Sequence, residues 1–200
     1  MDRRKKFMDV INKFEIPVVE DNPYGELRFE GEILPSLKGM DEKGLVIFLG
    51  SFSKIFCPGY RIGWVCASPE ILSKFVFVKQ GADLQASTIS QREVSKFIDV
   101  YDLDAHVEKI KTVYKKRRDL MLSTIDECFP EVVEHTYPEG GLFTWVELPK
   151  HLDARKIMEK CLENNVAYVP DGSFFPNGGK ENTFRLNYSN MPDEKIVDGV

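Results

Sequence analysis

A lysine, two serines and an arginine stand close together in residues 50–64, GSFSKIFCPGYRIGW. They are Ser51, Ser53, Lys54 and Arg61. An amine can condense with a carbonyl, while hydroxyls and a guanidinium hold a phosphate. Together they are equipment for a phosphorylated aldehyde. A lone lysine after a strand is more often a solvated loop residue, so the motif needs a second element. A P-loop is excluded, because the upstream glycine is absent and Ile55 stands where a hydroxyl is required. The second element is Asp21-Asn22-Pro23-Tyr24, an acid and a phenol at the end of another apolar run.

Two short, branched, apolar runs, residues 16–20 and 45–49, precede these groups and read as buried strands. If they are parallel neighbours, Asp21, Tyr24, Ser51 and Lys54 all lie at one carboxyl edge. Open α/β sheets bind ligands at that edge. A third run, residues 62–67, follows Arg61 and is expected to be antiparallel. Near the end, residues 182–189 (NTFRLNYS) alternate Phe184, Leu186 and Tyr188 with Thr183, Arg185 and Asn187, a strand pattern. By itself, Arg185 would be an ordinary surface arginine.

The D-x-P-Y and S-x-S-K motifs, with the downstream arginine, resemble the pyridoxal-phosphate lysine segment of class I/II, fold-type I aminotransferases. The resemblance implies transamination between an amino acid and a 2-oxo acid, with pyridoxal 5'-phosphate as cofactor. It makes Lys54 the catalytic amine, and gives cofactor contacts to Asp21, Tyr24, Ser51, Ser53, Lys54 and Arg61. A carboxylate roughly 4 Å from the ring nitrogen, at an effective dielectric near 20, interacts by about 4 kcal/mol. Such a charge at Asp21 keeps the nitrogen protonated. Arg185 matches the family's substrate-carboxylate arginine, a planar two-point contact that lysine does not reproduce. Residues 165–176 resemble the family's pocket-lining loop, and residues 140–149 its glycine-led strand. No metal site is implied. The local wording is closest to 2-aminoadipate and kynurenine or aromatic aminotransferases.

The implied fold is α/β: the second half of the large domain, a parallel sheet with one antiparallel strand, plus an α/β C-terminal small domain. The expected organisation is residues 1–103 in the large domain, 104–130 as an interdomain helix and 131–200 as the small domain. Helices are expected at 2–14 with Asp2 as N-cap, at 70–79 after Pro69, at 81–98, at 104–129 and at 153–164. Residues 82–88 resemble a segment near the family's dimer interface, so the full-length form is expected to be a homodimer.

Composition narrows the partners. The 200 residues are 42% hydrophobic and 30% charged, with a net charge of −5. That offers no broad basic field for nucleic acid, and the run Arg3-Arg4-Lys5-Lys6 reads as a solvated helix face. No apolar stretch approaches the roughly 20 residues of a membrane span. Cys57, Cys66, Cys128 and Cys161 lack metal spacing and are expected to be reduced, buried thiols of a cytoplasmic protein.

The resemblance covers nearly all of the chain but only the second half of the family's length. A fragment of a longer enzyme is therefore expected. The isolated chain, with three sheet strands, should bind cofactor weakly, lack activity and expose apolar surface. Two other readings stand beside this one. Some transcriptional regulators carry an aminotransferase-like ligand-sensing domain, and an inactive truncated remnant would keep the same motifs.

Overall fold

The computed structural model describes residues 1–200, apart from the side chains of Asp171 and Ser173. Contacts divide the chain into two units, Met1–Ile110 and Lys111–Val200.

The first unit holds a three-stranded sheet of β1 (Val18–Asp21), β2 (Val46–Ser51) and β3 (Gly63–Cys66), in that order. β1 and β2 are parallel, with Asp21 opposite Leu49, and β3 runs antiparallel to β2 with Trp64 opposite Gly50. This is the strand arrangement expected from the three apolar runs. α1 (Asp2–Phe14) buries Met8 and Ile11 against Val46, with Val18, Leu37, Met40 and Leu45 around them. Those two helix residues are three apart and so share a face.

Two details of α1 correct the sequence reading. Met1 is the cap residue and makes no side-chain cap bond, so Asp2 is the first helical residue rather than the N-cap. Its carboxylate still suits the positive end of the helix. The basic run is not wholly solvated either, since Arg4 Nη1 donates to Glu20 Oε1 at 3.3 Å and to the Pro35 carbonyl at 2.7 Å.

α2 (Pro69–Ala82) opens on a first-turn proline, and none of its residues is buried. The helix expected over 81–98 is broken. α2 ends with Asp83 and Leu84 both donating to the Lys79 carbonyl, Leu84 being left-handed at φ 66°. Ser87 then caps α3 (Thr88–Val100) by accepting the Ser90 N–H. α4 (Leu103–Cys128) runs 26 residues, about 39 Å at 1.5 Å per residue, and the division between the units falls within it.

The second unit holds β4 (Glu134–His135), β5 (Phe143–Glu147), β6 (Val169–Pro170) and β7 (Thr183–Asn187), in the order β4-β5-β7-β6 and all antiparallel. α5 (Ala154–Glu163) is capped by Asp153, whose carboxylate accepts the Arg155 and Lys156 N–H groups. α6 (Asp193–Gly199) follows Pro192. On β7, Phe184, Leu186 and the following Tyr188 are buried as the alternation predicts, but Thr183 is buried too. Its hydroxyl is satisfied by the Lys180 carbonyl at 2.7 Å, which removes the cost of enclosing it. Arg118 on α4 is also fully buried; it donates to the Pro138 carbonyl and lies 4.2 Å from the Tyr137 ring centroid.

The cysteines correct another expectation. Cys66 and Cys128 are exposed, Cys57 and Cys161 are half-buried, and all four are free thiols. Apolar sequence neighbours did not enclose Cys66, because it ends an outer strand of the three-stranded sheet. Among the described residues no helix is long and apolar enough to cross a membrane, and no group of acidic, histidine and cysteine side chains is placed to hold a metal.

Candidate active site

The carboxyl ends of β1 and β2 lie side by side. Beyond Asp21, the Asn22 N–H donates to the Leu49 carbonyl at 3.0 Å, extending the parallel ladder by one bond. Glu20 and Asp21 are consecutive, so they point to opposite faces of the strand. The Glu20 side chain is only 9% exposed; it accepts the N–H groups of Leu37 at 2.9 Å and Lys38 at 3.0 Å, besides Arg4. Its carboxylate is committed to holding the 35–40 segment. Asp21 is exposed and makes no hydrogen bond or ion pair among the described residues. Of the two adjacent acids, only Asp21 is open to a ligand.

Past β2, the chain folds into a tight turn. The Phe52 carbonyl accepts the N–H groups of Phe56 at 2.9 Å and Cys57 at 3.0 Å, and the Phe52 N–H donates to Ile62 at 3.1 Å. Ser51 Oγ accepts the Ser53 N–H at 3.1 Å. Gly50 is required here by close approach: a Cβ added to it would lie 2.2 Å from Trp64 Cε2. Phe56 is stacked on Tyr60 at 5.5 Å and tilted against Phe97 of α3 at 4.3 Å, anchoring the turn's far side. The neighbouring Glu93 carboxylate pushes the Tyr60 phenol's pKa up.

Within this turn Lys54 Nζ lies 5.9 Å from the Tyr24 ring centroid, with no hydrogen bond or ion pair among the described residues. Arg61 is left-handed at φ 56°, a conformation costly for a residue with a Cβ. Its Nη1 donates to Ser53 Oγ at 3.3 Å and to the Pro58 carbonyl at 3.0 Å. The fold therefore brings Ser51, Ser53 and Arg61 together, and sets Lys54 over Tyr24 near the end of β1.

Arg185 belongs to the second unit. It sits mid-strand on β7, opposite Trp145 on β5 and Val169 on β6. Its guanidinium carbon is 4.2 Å from the Phe143 ring centroid and 4.8 Å from that of Phe174. Its Nε is shut away from solvent with no hydrogen-bond partner among the described residues. Sequence reasoning did not find the two rings, or the role of Glu20; Phe143 shares a glycine-led strand motif, but nothing in Phe174 announces its target.

The chain belongs to the aminotransferase class I and II family, whose model matches residues 2–199. It is 44% identical over 198 residues to aromatic-amino-acid aminotransferase 1 of Thermococcus litoralis, covering 99% of this chain and 48% of that protein. The crystal structure of LysN, the alpha-aminoadipate aminotransferase of Thermus thermophilus, complexed with N-(5'-phosphopyridoxyl)-L-leucine, superposes with a TM-score of 0.94 at 41% identity. That match covers 98% of this chain and 51% of LysN. The chain is also 29% identical to the HTH-type transcriptional regulator NorG of Staphylococcus aureus, over 98% of this chain and 43% of that one. It spans about half the length of the curated relatives it matches.

Proposed function

We propose that this chain supplies the lysine half of a pyridoxal-phosphate-dependent transaminase, acting on an amino acid and a 2-oxo acid. The observation that carries the reading is that Asp21 and Lys54, neither with a hydrogen bond or ion pair among the described residues, lie at and just past the ends of adjacent parallel strands. Beside them, Ser53 and Arg61 already meet within hydrogen-bond distance. A cation, two hydroxyls, a free amine and a free carboxylate match what a phosphorylated pyridine aldehyde needs. When bound, that cofactor supplies a carbonyl for the substrate's amino group and a ring that accepts the electrons left at Cα.

The chain's own residues then divide the work. Arg61, Ser51 and Ser53 hold the phosphate, the guanidinium by charge and the hydroxyls by hydrogen bonds. Asp21 keeps a positive ring nitrogen favourable by placing a negative charge against it. Tyr24 orients the ring's phenolic oxygen. The Lys54 amine would take the proton from the substrate's Cα and deliver it to the cofactor's aldehyde carbon, two atoms away. Arg185 takes the α-carboxylate, consistent with a guanidinium that has no acidic partner among the described residues.

The relatives' names, aromatic-amino-acid and alpha-aminoadipate aminotransferase, make these the first substrate classes to assay. A homodimer in the longer, cytoplasmic form completes the reading. A ligand-sensing role is the second reading, favoured by the similarity to HTH-type transcriptional regulators such as NorG.

The test joins this chain to the part of the T. litoralis enzyme that it does not match. Borohydride reduction of the hybrid with pyridoxal phosphate should label Lys54, located by mass spectrometry, and the hybrid should transaminate. A Lys54→Ala hybrid that turned over amino acids at the same rate would sink the assignment. A hybrid that binds the cofactor on Lys54 without turnover would favour the sensor.

A further inference from the structure

Arg185 is unusual for a strand arginine with part of its surface still open. Among the described residues no acid or carbonyl engages it, and its Nε–H is enclosed without an acceptor. Two aromatic rings contact the guanidinium instead, Phe143 at 4.2 Å and Phe174 at 4.8 Å. Phe143 comes from the neighbouring strand β5, whereas Phe174 comes from the short helical turn Asp171–Phe174 after β6. Phe174 is itself tilted against Trp145 at 6.5 Å, and Phe175 meets Trp145 edge-on at 6.0 Å. Trp145 is the residue paired with Arg185 across the sheet.

The arrangement suits a guanidinium that must hold a fixed plane. A free arginine loses rotamer freedom when it grips a ligand, and a planar fork binds a carboxylate by two points only in one orientation. Ring faces attract the cation without using its N–H donors. Two rings can therefore fix the plane and leave the terminal N–H groups for a ligand. A hydrogen-bonded acid would fix it as firmly but would consume those donors and cancel the charge.

We propose that Phe143 and Phe174 are positioning residues for Arg185, pre-setting its guanidinium for a two-point grip on a substrate carboxylate. This rests on the carboxylate role given to Arg185 above. It also assigns Phe174, half exposed at 50%, to the arginine rather than to the substrate's side chain.

The test is protection of Arg185 from phenylglyoxal by propionate, a carboxylate with no ring and no second charge. The 200-residue chain is used, and modification is read arginine by arginine by mass spectrometry. In the wild type, propionate should protect Arg185 saturably and leave the exposed Arg3 unprotected. Phe174→Leu should raise the half-protecting concentration about fivefold, the scale of one partly exposed cation–π contact. Phe174→Tyr, which keeps a ring face, should stay within about twofold of wild type. Equal protection in wild type and Phe174→Leu overturns the positioning role and leaves the carboxylate role intact. Loss in Phe174→Tyr as large as in Phe174→Leu also overturns it, because packing rather than the ring face would be responsible. No protection of Arg185 in the wild type overturns the carboxylate reading itself.

Discussion

The Asn22 N–H and the Leu49 carbonyl, 3.0 Å apart, lock the end of β1 to the end of β2 one step beyond the last paired residues. Asp21 lies just inside that bond on one strand. Ser51 and the turn bearing Lys54 lie just beyond it on the other. The backbones that carry the acid and the amine thus leave the sheet at one edge.

Consecutive acids on β1 should fail in different ways. In the active hybrid, Asp21→Asn should lower turnover on the order of tenfold or more, about 1.4 kcal/mol of barrier for each factor of ten. Its effect on unfolding should be small, because Asp21 has no protein partner among the described residues. Glu20→Gln should do the reverse. It weakens the hold on the Leu37 and Lys38 N–H groups and should cost about 1–3 kcal/mol in denaturant unfolding. A rate loss from Glu20→Gln without a stability loss would mean that the wrong carboxylate has been chosen.

Asp41 should make the first unit sensitive to acid. Burial alone would raise its pKa. The Val46 N–H, the Lys38 ammonium and the Leu45 N–H outweigh that and hold it below the ordinary value. A carboxyl lowered on folding contributes stability above its unfolded pKa of about 3.9. That contribution is lost as pH falls through the lower folded value. Urea midpoints measured from about pH 6 down to about pH 2 should therefore fall at the acid end. Asp41→Asn should be about 1–3 kcal/mol less stable at the upper end of that range and show a shallower acid decline. An unchanged slope in that variant would remove Asp41 as the cause.

Much of the strand plan was legible, because it rests on local properties. The branched runs around Val18 and Val46 and the polar turn after Gly50 mark a sheet edge without any tertiary information. What escaped depended on distant or backbone partners. Glu20 is committed to N–H groups 17 and 18 residues away, which its own sequence context does not reveal. Leu84 breaks the expected helix by turning left-handed without a glycine to announce it. Cys66 was expected inside because its neighbours are apolar, but exposure is set by what lies beside β3. In the candidate site, residue types suggested Ser53 and Arg61 as partners. Only the fold supplied the two rings around Arg185.

Arg185→Lys should reduce turnover of an acidic, an aromatic and an aliphatic amino acid by a common factor, about tenfold or more in the hybrid. A point charge cannot reproduce the two-point grip, and the α-carboxylate is shared by all three. The order of preference among them should not change. Loss confined to the acidic substrate would show Arg185 reading a side-chain carboxylate instead.

The exposed apolar residues of α2 should govern how the chain behaves alone. Val76, Phe77 and Val78 are 58%, 77% and 68% exposed, an unusual apolar cluster for a protein surface. The 200-residue chain should bind a hydrophobic dye strongly and elute above its 23.0 kDa mass on gel filtration. Changing Phe77→Ser and Val78→Thr together should lower both signals while shifting unfolding by no more than about 0.5 kcal/mol per site. A larger stability loss would show that these side chains are already packed.

The chain has two tryptophans, and each stands opposite a residue of the candidate site: Trp64 across from Gly50, Trp145 across from Arg185. One falls in each unit. Nature has in effect labelled the two halves of the chemistry with separate lamps. Replacing either indole by phenylalanine leaves one tryptophan, whose emission, excited apart from the tyrosines, reports on a single neighbourhood. Occupancy beside the lysine turn and occupancy beside the arginine strand can then be followed separately, one variant for each, without any added dye.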